Sequence, residues 1–351
     1  MNPREALEKL RTTPPGRLEA VLGQLDLDRT VKAIAGTLVT GLFRREERRE
    51  LVQLLCVERV AELRPRMRAR VVHALRELSP DPVVSHGIRS CLLSLTGEPF
   101  RDMKYLLNST GDRHDLEHVV YERLTPADRD AVLAHIAAEA ADAPSHDLRI
   151  LCDIDDTVRA MLHETRFPRG SIYPGVVELL IELDEGRAAQ PSRPGDLTFV
   201  TARPEGPKGL IEQYTRNGLA GLGLPPHSVL GGSLLNLFTK KSIQARKLQN
   251  FERERALFPE CRFIFIGDSG QADPQVGAEM LRMGGTHGVA VLIHEVVEVA
   301  GEARAELEAA GIRFFSGYDE AARIAHELDL LDAPSRDRVL LAVAAAGAPM
   351  T

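Results

Sequence analysis

From the start of the chain to about residue 145, apolar side chains return every three or four positions. Residues 50–63 place Leu51, Leu54, Leu55, Val57, Val60 and Leu63 close to an i, i+3, i+4 stripe, the mark of a helix burying one face. Residues 67–78 and 127–141 repeat the pattern, the second opening with Thr125-Pro126 as N-cap and first turn. Alternation of period two is almost absent, and no repeat of fixed length occurs. A polar break, Asp142 to Asp147, then reads as a linker.

After the break the texture changes. Short apolar runs appear at 148–154, 197–202, 262–268, 288–293 and 312–315. Amphipathic stretches lie between and after them, near 174–185, 207–218, 240–257, 273–283, 296–310 and 318–331. Strands that are apolar throughout and alternate with helices predict a parallel sheet covered on both faces. The expected fold class is α/β, a doubly wound Rossmann-like sheet preceded by an all-helical region. The expected domains are residues 1–145, residues 146–333 and a tail at 334–351, whose apolar end reads as a docking helix. In such sheets ligands bind beyond the carboxyl ends of the strands, so the residues just after each apolar run carry the information.

Those positions are rich in oxygen ligands. The first run ends in Asp153-Ile154-Asp155-Asp156-Thr157, the second in Thr201-Ala202-Arg203, and the third in Gly267-Asp268-Ser269-Gly270, with Asp273 just beyond. Gathering several carboxylates at one sheet edge is costly unless a cation neutralises them. An all-oxygen set selects a hard cation, and Mg²⁺ takes one or two carboxylates plus waters and substrate phosphate. Two residues apart in extended chain, Asp153 and Asp155 point the same way. One then serves as a nucleophile and the other as proton donor to a leaving group. The charge that develops on the phosphoryl oxygens calls for a cation, a hydroxyl and a lysine. Mg²⁺, Thr201 and a lysine from 240–247 supply them.

The ordered set D-x-D-x-T, strand-ending Thr, Lys and G-D-x-x-x-x-D resembles the haloacid dehalogenase superfamily of phosphatases, over residues 149–330. More narrowly, four segments resemble the catalytic domain of actin-patch-type phosphatidate phosphatases, which are distantly lipin-like. They are Cys152-Asp153-Ile154-Asp155-Asp156-Thr157, Tyr173-Pro174-Gly175-Val176, Phe258-Pro259, and the run from Phe265 to Pro274. The resemblance implies Asp153 as nucleophile and Asp155 as general acid and base. It implies that Asp153, the backbone carbonyl of Asp155 and Asp268 hold Mg²⁺, that Thr201 binds phosphoryl oxygens, and that Asp273 supports the metal or the lysine. It places the lysine about a dozen residues before Phe258-Pro259, which favours Lys247 over Lys240 and Lys241. Arg203 is a candidate second phosphate contact. The family often carries Ser-Ser-Pro-Trp after the second strand; here Thr201-Ala202-Arg203-Pro204 stands instead, and the chain has no tryptophan. The insert from Met161 to Ser171 is short, so any cap over the site is small.

Composition sets the outer limits. The 44% hydrophobic and 27% charged content is that of a globular chain, which excludes a fibre or a disordered segment. No apolar run approaches the ~20 residues that span a bilayer. The start carries charges and prolines where a secretion signal is apolar, so a cytoplasmic protein is expected, peripheral at a membrane at most. Four cysteines lie far apart, without metal-ligand spacing, and read as buried thiols. The net charge of −7 argues against nucleic-acid binding by bulk charge. The first hundred residues are the mildly basic part, 17 Lys and Arg against 13 Asp and Glu. Arg44–Arg49 and Arg64–Arg70 there are read as solvated helix faces, or as contacts to an anionic membrane surface.

The expected function is a Mg²⁺-dependent phosphatase acting on phosphatidate or a related lipid phosphate. The alternatives are a phosphatase for a soluble phosphomonoester or a nucleic-acid end, and a non-catalytic binding module. A two-component receiver fits poorly, because it carries its phosphorylated Asp on a later strand. Thr157 and Ser269 taken singly read as helix caps. Asp156 reads as structural, and His163, His227, His287 and His294 as surface or packing residues.

Overall fold

The computed structural model describes residues 3–35, 44–76, 78, 81–108, 116–141, 147–185, 196–204, 217–225, 227–232, 240–284, 288–299 and 301–347; at 201–204, 231–232, 240, 241, 243 and 347 only the backbone is described. The chain divides into two compact units, Met1–Thr110 with His114–Ala143, and Pro144–Thr351. The expected linker and most of the expected 207–218 helix lie outside the described residues.

The first unit is helical throughout its described residues. Its main helices are Pro3–Thr12, Leu18–Gly23, Leu27–Ala35, Arg45–Gln53, Pro65–Arg76, Pro82–Leu93, Gly97–Asn108 and Pro126–Ala141. Two of them start as the sequence dictates. Asp81 accepts the Val83 N–H at 2.7 Å ahead of Pro82, and Thr125 accepts the Asp128 N–H at 3.3 Å ahead of Pro126. The helix expected over 50–63 is broken instead. It runs Arg45–Gln53, widens into a π-turn at Leu54–Glu58, and ends in a short 3-10 turn. The basic stretches do more than face solvent. Arg48 is buried against Asp81 and the Ala35 carbonyl. Arg64 pairs with Glu19 at 2.7 Å. Arg68 donates to the Leu63 carbonyl and to Ser94. These guanidiniums fasten one helix to the next.

The second unit is built on six parallel strands: β1 Leu148–Cys152, β2 Leu197–Pro204, β3 His227–Gly232, β4 Arg262–Asp268, β5 Val289–His294 and β6 Ile312–Phe315. Their order is β3-β2-β1-β4-β5-β6. Every residue of β1 is buried, as are all but the first of β4, which is why both read as continuous apolar runs. Ile150 lies between Leu197 of β2 and Ile264 of β4. Helices Val176–Glu185, Lys240–Leu257, Asp273–Met283, Gly301–Ala309, Tyr318–Glu327 and Ala333–Gly347 accompany the sheet. The chain winds outward from β1 to β3, then returns to β4 on the other side of β1. In sheets of this kind ligands bind at such a switch point, here beyond the carboxyl ends of β1 and β4. Among the described residues, no helix is long and apolar enough to cross a membrane.

Candidate active site

The site forms where β1 and β4 end. Asp153 is the first residue past β1, and its N–H donates to the Ile266 carbonyl of β4 at 2.9 Å. Asp268 is the last residue of β4, and Asp273 opens the next helix. All three carboxylates are buried, and one oxygen of each lies within 4.8 Å of the others. Gly267 makes this approach feasible: a Cβ there would meet the Asp273 carboxylate at 2.5 Å. Asp268 accepts the Gly270 N–H at 2.7 Å, which turns the chain sharply after the strand.

Lys247 reaches this group from the helix Lys240–Leu257. Its Nζ donates to Asp153 Oδ1 at 2.8 Å and to Asp273 Oδ1 at 2.5 Å, and the side chain is buried. The buried Phe251 lies one turn further along and anchors the same helix face against β4, its ring 5.6 Å from Phe263. The side chains of Lys240 and Lys241 lie outside the described residues, as do those of Thr201 and Arg203, whose backbone belongs to β2.

Asp155 is not part of the carboxylate group. The chain leaves the strand direction after Asp153 and coils so that the Val158 and Arg159 N–H groups both donate to the Ile154 carbonyl. Asp155 then faces Arg159, whose Nε stands 3.4 Å from its carboxylate. Asp156 adopts a left-handed φ of 61°, a conformation that costs a side-chain-bearing residue. Its buried carboxylate accepts the N–H groups of Met161, Leu162 and His163, which offsets that cost and fixes the start of the 161–171 insert. Nothing in the D-x-D-x-T pattern marks this role.

The insert is tied down at its other end too. Arg166 pairs with Glu164 at 2.8 Å and reaches the Ser316 carbonyl. Burial works against the charge of Glu164, but its bonds from Arg166 prevail and hold its carboxyl down at about 2. Tyr173 donates to the same carboxylate at 3.1 Å. His294, at the end of β5, is buried with its Nδ1 2.9 Å from the Asp156 carbonyl, and burial lowers its pKa. It packs, stacked on Phe315 and edge-on to Tyr173. Gly175 has φ +84°, and Tyr318 and Val343 crowd the place where its Cβ would stand, so the Tyr173-Pro174-Gly175 segment answers to packing. Neither hydroxyl caps a helix. Ser269 bonds the Val296 and Val297 backbone, and Thr157 Oγ1 is buried with no partner among the described residues. His163 is exposed, His227 is buried against Phe199, and His287 lies outside the described residues. The four cysteines are free and buried.

The electrostatics show what the group lacks. Burial pushes Asp153 up to about 7, with Lys247 pulling the other way and Asp273 and Asp155 adding to the rise. Burial also lifts Asp268 to about 8, helped by Asp273 and Asp153. Burial opposes the charge of Lys247, but Asp153 and Asp273 outweigh it and raise its pKa. Three buried carboxylates against one ammonium are short of positive charge. A hard dication with oxygen ligands fits that deficit, and Asp153, Asp268 and Asp273 would hold it.

Residues 148–295 match the family model of the catalytic domain of phosphatidate phosphatase APP1. That family is a phosphatidate phosphatase, a phosphoric monoester hydrolase, and the resemblance read from the motifs holds over this stretch. The stretch is less than half of the chain and contains Asp153, Asp155, Thr201, Arg203, Lys247, Asp268 and Asp273. No curated protein and no solved structure matches the chain significantly.

Proposed function

We propose that the second unit is a Mg²⁺-dependent phosphatase that forms an aspartyl-phosphate on Asp153 and acts on phosphatidate or a related lipid phosphate. The observation that carries the proposal is the convergence of Asp153, Asp268, Asp273 and Lys247 at the ends of β1 and β4, inside the stretch that matches the phosphatase family.

Asp153, the first residue past β1, has one oxygen held by Lys247. Its carboxylate attacks phosphorus, forming a new O–P bond as the ester P–O bond breaks. Asp155, a turn further on and outside the carboxylate group, gives its proton to the departing alkoxide. In the second half Asp155 takes a proton from water, the resulting hydroxide attacks phosphorus, and the Asp153–phosphate bond breaks. Lys247 offsets part of the charge on Asp153 and Asp273 and so lowers the repulsion that an entering dianionic phosphate meets. Asp153, Asp268 and Asp273 would hold Mg²⁺, which supplies positive charge to the phosphoryl oxygens.

The test is phosphate release by the purified full chain with Mg²⁺ or with a chelator. The substrates are phosphatidate in mixed micelles and a panel of soluble phosphomonoesters. Activity on phosphatidate that needs Mg²⁺ and vanishes in Asp153→Asn is expected. Preference for a soluble ester would redirect the substrate, and an active Asp153→Asn would overturn the mechanism. Asp155→Asn is expected to lose about 10²–10⁴-fold, least on esters with good leaving groups; a loss independent of leaving group would remove Asp155 from that role.

A further inference from the structure

His294 is a buried histidine that the proposed reaction does not use. It ends β5, one strand over from Asp268 at the end of β4. Both of its ring nitrogens are engaged. Nδ1 stands 2.9 Å from the Asp156 carbonyl, and Nε2 stands 3.3 Å from Arg166 Nη2. A carbonyl only accepts and a guanidinium only donates. Nδ1 therefore carries a hydrogen and donates it to Asp156, while Nε2 accepts from Arg166. The plane of the ring is fixed as well, with Phe315 stacked at 5.2 Å and Tyr173 edge-on at 4.5 Å.

These two bonds close a ring of contacts around Asp156. The Asp156 carboxylate holds the N–H groups of Met161, Leu162 and His163 at the start of the insert. Further along the insert, Glu164 aims the Arg166 guanidinium by accepting from its Nη2 at 2.8 Å, and the Tyr173 hydroxyl steadies Glu164. Arg166 then meets His294, and His294 returns to the Asp156 carbonyl. Two more bonds hold the same stretch of main chain. The Asp156 N–H donates to the Arg159 carbonyl at 2.7 Å, and the buried Tyr318 hydroxyl donates to the Thr157 carbonyl. The peptides before and after the left-handed Asp156 are thus both held, and Asp155 lies immediately before them.

We infer that His294 is a positioning residue for Asp155: by holding the Asp156 carbonyl it fixes the main chain that aims the Asp155 side chain, and through Arg166 it ties that main chain to the insert. The inference deepens the phosphatase reading and rests on Asp155 being its general acid. Packing accounts for the ring but not for its nitrogens. An apolar side chain could stack on Phe315, yet it could not bond the carbonyl of a left-handed residue on one side and a guanidinium on the other. Asp155 lies beyond β1, off the sheet, so its direction depends on outside bonds of this kind. Proton transfer is sensitive to such placement, since an error of ~1 Å at a reacting group costs on the order of 10²-fold.

The experiment compares the full chain with His294→Leu, His294→Asn and His294→Gln. Asn sets an amide N–H where Nδ1–H stands and can bond the Asp156 carbonyl, whereas Gln sets its amide further out, where Nε2 faces Arg166. kcat and KM are measured over phosphomonoesters whose leaving groups run from nitrophenol to a simple alcohol, with Asp155→Asn in parallel. His294→Leu is expected to lower kcat about 10–100-fold on the alkyl ester and less than about threefold on the nitrophenyl ester, with KM unchanged. His294→Asn should recover most of kcat on the alkyl ester, and His294→Gln much less. A merely structural role lowers every ester alike, through loss of folded enzyme, and that result overturns the inference. So does full activity in His294→Leu, or a Gln variant that recovers as much as Asn. Amide hydrogen exchange gives a readout that needs no turnover. The Asp156, Met161, Leu162 and His163 N–H groups should exchange about tenfold faster or more in His294→Leu and near the wild-type rate in His294→Asn. Unchanged protection in His294→Leu overturns the inference even where activity falls. If Asp155→Asn shows a loss that depends on leaving group and His294→Leu does not, the acid stands and the positioning falls. If His294→Leu speeds exchange while Asp155→Asn costs the same on every ester, the hold on Asp155 stands and its role as acid falls.

Discussion

The sheet has a buried cation at each end, and each cation is ringed by carboxylates. At the amino end Arg149 of β1 pairs with Glu254 at 2.5 Å, faces Asp196 at 3.6 Å, and feels Asp184. At the carboxyl end Lys247 pairs with Asp153 and Asp273, with Asp268 close by. One helix serves both ends, since Lys247 and Glu254 are two turns apart on the same face. The arrangements differ in one respect. The Arg149 guanidinium is a planar fork that bonds in several directions: Glu254, Thr198 and, beneath it at 3.8 Å, the Phe258 ring. Its carboxylates are spread around it. The Lys247 ammonium is a point, and its carboxylates converge beyond it until one small cation could touch all three. A cluster that closes on itself holds the fold, whereas one that converges on a point is built for a ligand.

Removing each cation separates the two roles. Arg149→Met takes the guanidinium away from the buried Glu254 and Asp196, and a loss of about 3–5 kcal/mol is expected in denaturant unfolding. A loss below ~1 kcal/mol would show that the amino-end cluster is incidental. Lys247→Met also unbalances charge, but there the converging carboxylates can take up a proton or a dication. With Mg²⁺ present it should cost less stability than Arg149→Met while lowering turnover at least ~10²-fold. Equal stability loss with full activity would reverse the assignment of the two ends.

Mg²⁺ should act on the carboxyl-end cluster alone. Asp153 and Asp268 sit near 7 and 8 in the metal-free protein because burial favours their neutral forms. A dication needs them ionised, so binding releases protons and strengthens as pH rises through that window. The melting temperature is expected to rise more on adding Mg²⁺ at pH ~8 than at pH ~6, and Asp268→Ala should abolish the difference. Arg149→Met should keep it. A shift of the same size at both pH values would mean the cation sits elsewhere.

Much of this was legible before the structure. The strand-ending runs named Asp153, Asp155, Asp268 and Asp273, and the family resemblance favoured Lys247 over Lys240 and Lys241. The bounds of the 240–257 and 273–283 helices could be read directly, because each is flanked by a strand that is apolar throughout. β3 escaped notice, because His227-Ser228 opens it with polar residues and Gly231-Gly232 closes it. The amino-end cluster was invisible, since Arg149 lies about a hundred residues before Glu254 and Phe258 and sits inside an apolar run. Phe258-Pro259, read as a landmark, supplies the ring beneath Arg149. The insert's fastening was equally hidden: a left-handed Asp156 and its run of N–H donors leave no periodic trace.

Asp184, in the helix Val176–Glu185, yields the smallest and most specific expectation. One of its carboxylate oxygens is buried with no hydrogen-bond partner among the described residues. Burial lifts its carboxyl to about 7, the neighbouring Glu185 adds to the rise, and Arg149 pulls against it. Because the folded-state pKa is raised above the ordinary 3.8, the folded chain holds an extra proton between those values. Stability is therefore greatest below pH ~4 as far as this group is concerned, falls as pH rises toward 7, and levels off above it. Asp184→Asn cannot ionise, so it should match wild type near pH 4 and exceed it near pH 8. Unfolding both proteins in urea at the two pH values reads this directly. The proposed Mg²⁺ site, Asp153 with Asp268 and Asp273, lies at the opposite end of the sheet, so the gain should persist with Mg²⁺ added. A gain at pH 8 that Mg²⁺ erases would join the two clusters into one electrostatic unit and dissolve the distinction between them.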